Sequence, residues 1–424
     1  MYRRFESLGD LVGDKSVVAL SEATHGAAEP LAFRNEAFQY LVNERGFTAI
    51  AIESGIVESR SVHDYVLGGA GDLDPVLAEG IGWSFDRLPQ NRDLVSWIRD
   101  YNSTTQHERK IHFYGFDVPG SPGKPRVRRR MDTALIESLR YLDRVDGAVA
   151  GELRSRLRGA FEKVAFDLGS SHQAPGYEGL RGAERDTLTA VIADAIALLE
   201  RKEGAYIAAS GVADYEWALR AAIGARQVDA WLRQIPWGWQ PPRDWAHLSE
   251  EHARVLANLT AARDRAQADN LDWIREREGP TGKILVYGHR YHLSAAALRW
   301  SCTGDIPHPV AGTYLRRRHG EQLLTIGNLI GAGTIACGQA PTLLRPASTE
   351  SIDGLAGEMQ SPAFYLDLRA APDSVSEWLA GERLLGRGPL EHSADTLALA
   401  VGRAFDVILY FDSVTPACPG ESAS

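Results

Sequence analysis

Short runs of apolar residues recur along the chain, and helical patterns separate the first three of them. Each run is rich in β-branched or aromatic residues and is too short to form a helix. Near-continuous apolar strands bounded by polar residues are typical of a parallel sheet that is covered on both faces. The runs that carry this prediction occupy residues 16–20, 48–52, 111–115 and 283–287.

Amphipathic segments between these runs predict helices at 29–45 and 88–101. The first of them stops at Gly46, and glycine is favoured just past the end of a helix. Because strands alternate with helices, we predict an α/β fold whose core is a mostly parallel sheet flanked by helices, with right-handed crossovers.

The middle of the chain has a different pattern, because it offers few strand candidates. From about 127 to 235 the apolar spacing is helical, which indicates a helical insertion. A long amphipathic helix over 248–277 then leads back to the strand at 283–287. Within the insertion, helices are predicted at 131–145, 153–165, 183–202 and 213–232.

The last third returns to short strands, predicted at 323–326, 363–367 and 407–410. This organisation divides the chain into four parts. They are the first part of the α/β core (1–126), the helical insertion (127–240), the long helix with the rest of the core (241–416) and a frayed tail (417–424).

Composition narrows the class of protein. The chain has 424 residues, 44% of them hydrophobic and 24% charged, which is typical of a globular protein. A net charge of -10 argues against a nucleic-acid partner, and no apolar run is long enough to span a membrane. The three cysteines are far apart, which argues against a disulfide framework or a thiolate zinc site. The polar N-terminus lacks a signal-peptide core, so we expect a cytoplasmic protein, with a monomer as the default.

Charged and imidazole side chains follow the predicted strands at the points where the strands end. The carboxyl ends of parallel strands share one edge of a sheet, and ligands of open α/β folds bind just outside that edge. Residues far apart in the sequence should therefore converge there. The candidates are Glu22, His25, Glu53, Asp117, His289 and His292, with Arg34 on the helix after His25.

A histidine beside a carboxylate is held in one tautomer and becomes more basic, so it can take a proton from water. No G-x-S-x-G elbow, P-loop or G-x-G-x-x-G turn is present, which argues against a serine hydrolase and against nucleotide binding. The pairs Glu22-x-x-His25 and His289-x-x-His292 also suit a metal site, although they lack the helical H-E-x-x-H pattern. Water activation without metal or other cofactor is the preferred hypothesis.

At these residues the chain resembles the erythromycin esterase family. The resemblance follows the family's order along nearly the whole chain and includes E-x-x-H-G, an arginine nine residues later, a strand-end glutamate, G-F-D and H-x-x-H. It rests on SEATHGAAEPLAFRNEAFQYLVNERGFTAIAIES (21–54), VHDYVLGG (62–69), LVSWIRDYN (94–102), FYGFDVPG (113–120), RDRAQADNLDWI (263–274), VYGHRYHL (286–293) and AFDVILYFDSVTPA (404–417).

The resemblance implies an α/β core with the helical insertion covering the site, and attack of water on a macrolactone ester without metal. It implies that His25 is the general base and Glu22 its partner. Glu53 matches the family's second carboxylate. The remaining site positions of the family correspond to Arg34, His289 and His292.

Three residues depart from the family pattern: Ser21 stands for a glycine, Arg290 for an asparagine and Gln267 for a methionine. The Arg290 cation casts doubt on the usual substrate, and we count it as a substrate contact. Asp117 and His292 are further candidates for substrate binding, whereas Glu22, His25, Glu53, Arg34 and His289 are the catalytic candidates. Aromatic residues that could line the pocket are Trp83, Trp237, Trp239 and Tyr177.

Three functions are compatible with these residues. The first is hydrolysis of an ester or lactone in a bulky natural product, such as a macrolide. In that reaction Arg34, with His289 or His292, would stabilise the developing oxyanion. The second is a non-hydrolytic step in natural-product biosynthesis (cyclisation, elimination or transfer) at the same site. The third is a protein that binds a metal or a ligand without turnover.

Overall fold

The computed structural model places most of the chain in one α/β architecture. It describes residues 6–104, 109–120, 133–161, 180–236, 239–240, 242, 248–299, 307–336, 341–386 and 397–418.

The described strands form a central sheet, most of whose strands are buried, and one separate hairpin. They are β1 (Val17–Glu22), β2 (Ala49–Gly55), β3 (His112–Asp117), β4 (Ile284–His289), β5 (Leu323–Ile335), β6 (Thr342–Leu344) and β7 (Ala363–Asp367), with β8 (Glu382–Leu385) and β9 (Leu397–Ala400) in a separate hairpin and β10 (Val407–Val414) back in the sheet.

Helices cover both faces of this sheet. They are α1 (Glu6–Val12), α2 (Ala28–Arg45), α3 (Arg60–Val66), α4 (Leu73–Gly80), α5 (Pro89–Ser103), α6 (Thr133–Val145), α7 (Gly147–Phe161), α8 (Gly182–Arg201), α9 (Glu203–Ser210), α10 (Val212–Leu232), α11 (Glu250–Arg277), α12 (Arg290–Leu293), α13 (Ala311–His319), α14 (Ile352–Gly357), α15 (Asp373–Ala380) and α16 (Val401–Ala404).

The sheet order is β3-β2-β4-β1-β5-β10-β7, and β6 pairs with β5. The first six strands in this order run parallel, whereas β7 and β6 are antiparallel to their neighbours. The predicted fold class is therefore confirmed. Since β4 lies between β1 and β2, the carboxyl ends of three strands distant in sequence adjoin.

Two hydrophobic cores lie on opposite faces of the sheet. One combines the sheet with the helices between 133 and 232 and with α11. The other packs the sheet against α1, α2, α3 and α5. The helix α10 packs closely at Gly224 against the segment that follows β3, since a Cβ atom there would lie 2.8 Å from the Pro119 ring.

The predicted helices of the first half match the structure closely. Helix α2 ends at Gly46, whose φ of 70° is the left-handed conformation expected of a C-cap glycine. The helical character of the middle segment is also observed, within the described residues of 133–161 and 180–232. The domain boundaries drawn from the sequence stay a prediction.

Strand β5 is longer than predicted, since it runs through Ile335 instead of stopping at residue 326. Gly327, just past the predicted end of the strand, makes a close contact there. A Cβ atom at that position would lie 2.5 Å from the Phe405 ring, so the glycine lets the ring pack onto the strand.

None of the described helices is long and apolar enough to cross a bilayer.

Candidate functional site

The strand ends bring together most of the candidate residues. Glu22 on β1 and His289 on β4 are direct cross-strand neighbours. Glu53 lies on β2 at an irregularity between Ile52 and Gly55, and the next pairing joins Gly55 to Asp117 on β3. Parallel strands bring their carboxyl ends to the same edge of a sheet, and these side chains do converge at that edge.

His25 is held by Glu22 in the turn that follows β1. Its Nδ1 atom lies 2.7 Å from Oε1 of Glu22, and Oε2 of the same carboxylate accepts a hydrogen bond from the Tyr287 hydroxyl at 3.0 Å. The His25 side chain is 29% exposed, whereas Glu22 is buried. Among the described residues, Nε2 of His25 has no hydrogen-bond partner, so this nitrogen is available to a ligand.

The charges around His25 make it a stronger base than an ordinary histidine. Burial lowers the pKa of His25, but the Glu22 carboxylate and then Glu53 outweigh burial and raise the pKa above 6.5. With Nδ1–H donated to Glu22, the unprotonated Nε2 is the atom that can accept a proton. This arrangement is that of an oriented general base.

His289 packs beside His25, with 5.2 Å between the ring centroids, but both of its nitrogens are occupied. Its Nε2 donates to the Ala23 carbonyl at 3.0 Å, and its Nδ1 accepts from the Tyr291 amide at 3.1 Å. Burial, followed by the nearby His25, lowers the pKa of His289 well below 6.5, so the ring is neutral. In this geometry His289 has no N–H to offer to a substrate.

Glu53 is an ionised carboxylate at the centre of the cluster. Its Oε2 accepts the His289 amide at 2.9 Å, and its Oε1 accepts from Arg263 Nη2 at 2.9 Å. Burial raises the pKa of Glu53, but His292, His25 and Arg263 reverse this effect and lower the pKa well below 4.5.

His292 lies between two carboxylates. Its Nδ1 is 2.9 Å from Oδ1 of Asp264, and its Nε2 is 3.4 Å from Oε1 of Glu53. Burial lowers the pKa of His292, but Asp264 and Glu53 raise it to about 9. Arg263 Nη1 lies 3.1 Å from Nε2 and can donate to it when the ring is neutral. In the imidazolium form, the Nε2 proton is available to Glu53 instead.

Arg263 on α11 is a site residue that the sequence analysis missed. Its guanidinium makes hydrogen bonds of 2.9 and 2.6 Å to the two oxygens of Asp117, and it also reaches Glu53 and His292. Its side chain is 16% exposed, and Trp83 covers it, with its ring centroid 4.8 Å from the guanidinium carbon. The sequence did contain a signal for this residue, because the polar residues Arg263, Gln267 and Asn270 share one face of a predicted helix.

Asp117 has no oxygen left for a substrate in this structure. Besides Arg263, its oxygens accept from the Val118 amide at 2.8 Å, from Gln267 Nε2 at 3.1 Å and from Trp83 Nε1 at 3.1 Å. The side chain is completely buried. Asp117 therefore holds Arg263 in place, and the substrate-binding role expected of it is not what its contacts indicate.

Arg34 is buried close to Glu22 but makes no direct hydrogen bond to it. Nε and Nη2 donate to the Asn35 side chain at 3.0 and 2.7 Å, and Nη2 lies 3.4 Å from the Gln90 carbonyl. The guanidinium also lies over the Tyr287 ring, 4.8 Å from its centroid. Among the described residues, Nη1 of Arg34 has no hydrogen-bond partner.

Arg290 is directed away from this cluster, which corrects the expectation that it contacts a substrate there. Its Nη1 donates to the Asn328 carbonyl at 2.9 Å and lies 3.4 Å from Oδ1 of Asp353. Both members of this ion pair have fully buried side chains. The physical reason is the short helix α12, which turns residue 290 toward β5 and α14 while His292 faces α11.

A loop before α5 forms an aromatic wall beside His25. Trp83 and Ser84 have φ values of 58° and 62°, a conformation that costs about 1–3 kcal/mol for a residue other than glycine. It places Trp83 over Arg263, while Phe85 lies 4.9 Å from the His25 ring. Of the other aromatic candidates, Trp239 packs against His252, whereas Trp237 and Tyr177 lie outside the described residues.

A narrow cavity of about 10 Å³ lies against this cluster, close to the smallest space that accepts one water molecule. Its lining includes Glu22, Arg34, Glu53, Phe85, Asn91 and Tyr287. Within the described part of the chain, no group of three or more His, Cys, Asp or Glu side chains is arranged to hold a metal ion.

Comparison with known proteins identifies the family of the chain. The family model described as erythromycin esterase matches residues 42–414. The chain is 23% identical over 334 residues to the erythromycin esterase type II of Escherichia coli, covering 77% of this chain and 71% of that protein.

Solved structures show the same fold at low sequence identity. A Bacillus cereus protein superposes with a TM-score of 0.76 at 22% identity, covering 98% of this chain and 93% of the other. A histidine-to-asparagine mutant of the erythromycin esterase EreC, in its open conformation, gives a TM-score of 0.70 at 16% identity, covering 98% and 94%.

Proposed function

Because the chain belongs to the erythromycin esterase family, we propose that it hydrolyses an ester or lactone of a bulky natural product with water activated by His25. The observation that carries this proposal is the 2.7 Å contact between Nδ1 of His25 and Glu22, which leaves Nε2 of a partly exposed ring beside a buried polar cluster. A general base of this kind contributes roughly 10²–10⁴-fold to a rate.

In the proposed reaction, Nε2 of His25 takes a proton from water as the water oxygen bonds to the ester carbonyl carbon. Glu22 stabilises the imidazolium that forms. The tetrahedral intermediate then expels the alkoxide, which takes the proton back from His25. The products are one carboxylic acid and one alcohol, which stay in the same molecule when the substrate is a lactone.

We assign the stabilisation of the negative charge of the intermediate to two cationic side chains of the cluster. Arg263 is held by Asp117, and His292 carries a pKa raised to about 9, chiefly by Asp264 and Glu53 against the effect of burial. Fixed charges of this kind stabilise an oxyanion because they need no reorganisation during the reaction. Arg263 and His292 are therefore better placed for this role than His289.

Two features of one position, the Arg290 cation and the missing family asparagine, motivate the alternative of a non-hydrolytic reaction, and the contact of Arg290 with Asp353 weakens the first of them. Hydrolysis is therefore favoured over cyclisation, elimination or transfer.

The decisive experiment is mass spectrometry of 14- and 16-membered macrolides, and of simpler lactones, after incubation with the protein. We expect a gain of one water with the wild type and none with His25→Ala. The matched control is His319→Ala, because His319 pairs with Asp272 on α11, away from the cluster. In oxygen-18 water the acid product should gain one label, whereas a trapped acyl-enzyme would overturn the mechanism.

A further inference from the structure

We propose that the narrow cavity is a binding site for one resident water molecule, which links Arg34 to Glu22 and is held in place by Asn91. Asn91 is thereby a positioning residue for the His25–Glu22 pair. The existence of this water is independent of the reaction, whereas its importance for turnover rests on the proposed function.

The first argument is a buried hydrogen-bond acceptor with no partner. Asn91 lies on α5 and is 2% exposed. Its Nδ2 donates to the Phe85 carbonyl at 2.8 Å, which fixes the orientation of the amide. The remaining polar atom of the amide is the acceptor Oδ1, which has no hydrogen-bond partner among the described residues. An unsatisfied buried acceptor costs about 1–3 kcal/mol, so its cavity-lining position calls for a ligand.

The second argument is the mixture of charges around the cavity. Arg34 supplies donors, and its Nη1 has no hydrogen bond to the described residues. Glu22 and Glu53 supply acceptors. A cation would be repelled by Arg34, and an anion by the two carboxylates. Water can accept from the guanidinium and donate to two acceptors at once, here Oδ1 of Asn91 and the Glu22 carboxylate, so it is compatible with both signs of charge in the lining.

The third argument is size. A volume of about 10 Å³ is near the lower limit for a single water molecule. Sites of this kind are normally filled when they offer two to four polar partners. The cavity is therefore matched to water in both volume and hydrogen bonding.

Such a water explains how Arg34 acts on the catalytic pair. No direct hydrogen bond joins Arg34 to Glu22, although the two charges interact. A bridging water would donate to a remaining lone pair of the Glu22 carboxylate and so hold it in the orientation in which its two oxygens meet His25 and Tyr287. Arg34 would then position the base pair instead of contacting the oxyanion.

The structural test is a crystal structure at about 1.5 Å resolution of the wild type and of Asn91→Leu. We expect an ordered water within hydrogen-bond distance of Asn91 Oδ1 and Arg34 Nη1. It should be absent from Asn91→Leu, because leucine has the same branching with two methyl groups in place of the amide atoms. An empty cavity in the wild type, or an Oδ1 atom bonded to another protein group, would overturn the proposal.

The kinetic test compares Asn91→Leu with Asn91→Ala on an ester that the wild type hydrolyses. A water role predicts at least a tenfold loss of kcat in the leucine variant and a smaller loss in the alanine variant, which keeps room for water. A packing role predicts the opposite order, since alanine leaves the larger void. Equal kcat values in Asn91→Leu and wild type would overturn the positioning role.

Asn102→Ala is the matched control, because Asn102 is a buried asparagine on the same helix. Its amide is bound to Val66 and Ile111, away from the cavity. We expect it to lower the melting temperature while kcat of the folded protein stays within twofold of the wild type. If the wild type hydrolyses no ester, the proposed function fails, and the crystal structures still decide whether the water is present.

Discussion

Two hydrogen bonds, of 2.9 and 2.6 Å, join the guanidinium of Arg263 to the two oxygens of Asp117. This bidentate contact fixes a positive charge from the long helix α11 beside the carboxyl end of β3. Since both groups are largely withdrawn from water, neither can lose its partner without a large penalty.

Replacing Arg263 by methionine should therefore lower the free energy of unfolding by about 3–5 kcal/mol, because Asp117 is left as an uncompensated buried charge. Urea denaturation measures this change. The control is Arg265→Met on the same helix, whose partner Asp269 is exposed and whose loss should cost less than about 1 kcal/mol. Similar losses in the two variants would contradict the role assigned to Arg263.

The pH dependence of hydrolysis should report the pKa of His25. Because Nε2 must be unprotonated to act as a base, kcat/KM should rise with pH through a pKa above 6.5. In Glu22→Gln the leading favourable charge is lost while burial still lowers the pKa, so the rise should move to lower pH and the plateau should fall. If the midpoint of the pH profile is unchanged in Glu22→Gln, the group that titrates is not His25.

His292 should make the stability of the protein depend on pH. Its pKa is about 9 in the folded state, against an ordinary value of 6.5. A raised folded pKa contributes stability that is complete below pH 6.5 and disappears as the pH rises through 9.

The wild type should therefore be more stable than His292→Asn at pH 6, and this difference should shrink by pH 9.5. Chemical denaturation of both proteins at a series of pH values measures the change. A difference that does not vary with pH would show that His292 is not protonated in the folded state.

Asp353→Ala should separate stability from activity. It leaves Arg290 as a buried charge without its carboxylate, so we expect a loss of about 3–5 kcal/mol in the free energy of unfolding. The kcat/KM of the protein that remains folded should stay within twofold of the wild type. A large fall in kcat/KM would indicate that Arg290 influences the reaction after all.

The sequence was sufficient to predict the residues at the strand ends, because parallel strands must bring Glu22, Glu53 and His289 to one edge. The sequence did not reveal which polar atoms of these side chains remain available to bind a substrate. The two nitrogens of His289 bond to Ala23 and Tyr291, and such backbone contacts leave no pattern in the sequence.

Arg263 and Arg290 show that the sequence also did not reveal which charged side chains face the site: Arg263 does, and Arg290 does not. Arg263 lies on an amphipathic helix where charged residues are usually solvated, so its burial depends on how α11 docks onto β3. Arg290 stands between two site residues, yet a short helix directs its side chain to the other side. Adjacency in sequence predicts a neighbouring backbone but not the direction of a side chain.

The position of β4 has a consequence for folding during synthesis. Strand β1 pairs with β4 and β5 but with neither β2 nor β3. A nascent chain of 250 residues therefore carries β1 with no native strand beside it, and the unpaired N–H and C=O groups along its edges stay open to wrong pairings. Strand β4 can cover one edge of β1 after residue 289 leaves the ribosome, and β5 can cover the other only after it has emerged as well, so we expect early folding of this protein to depend on keeping β1 protected.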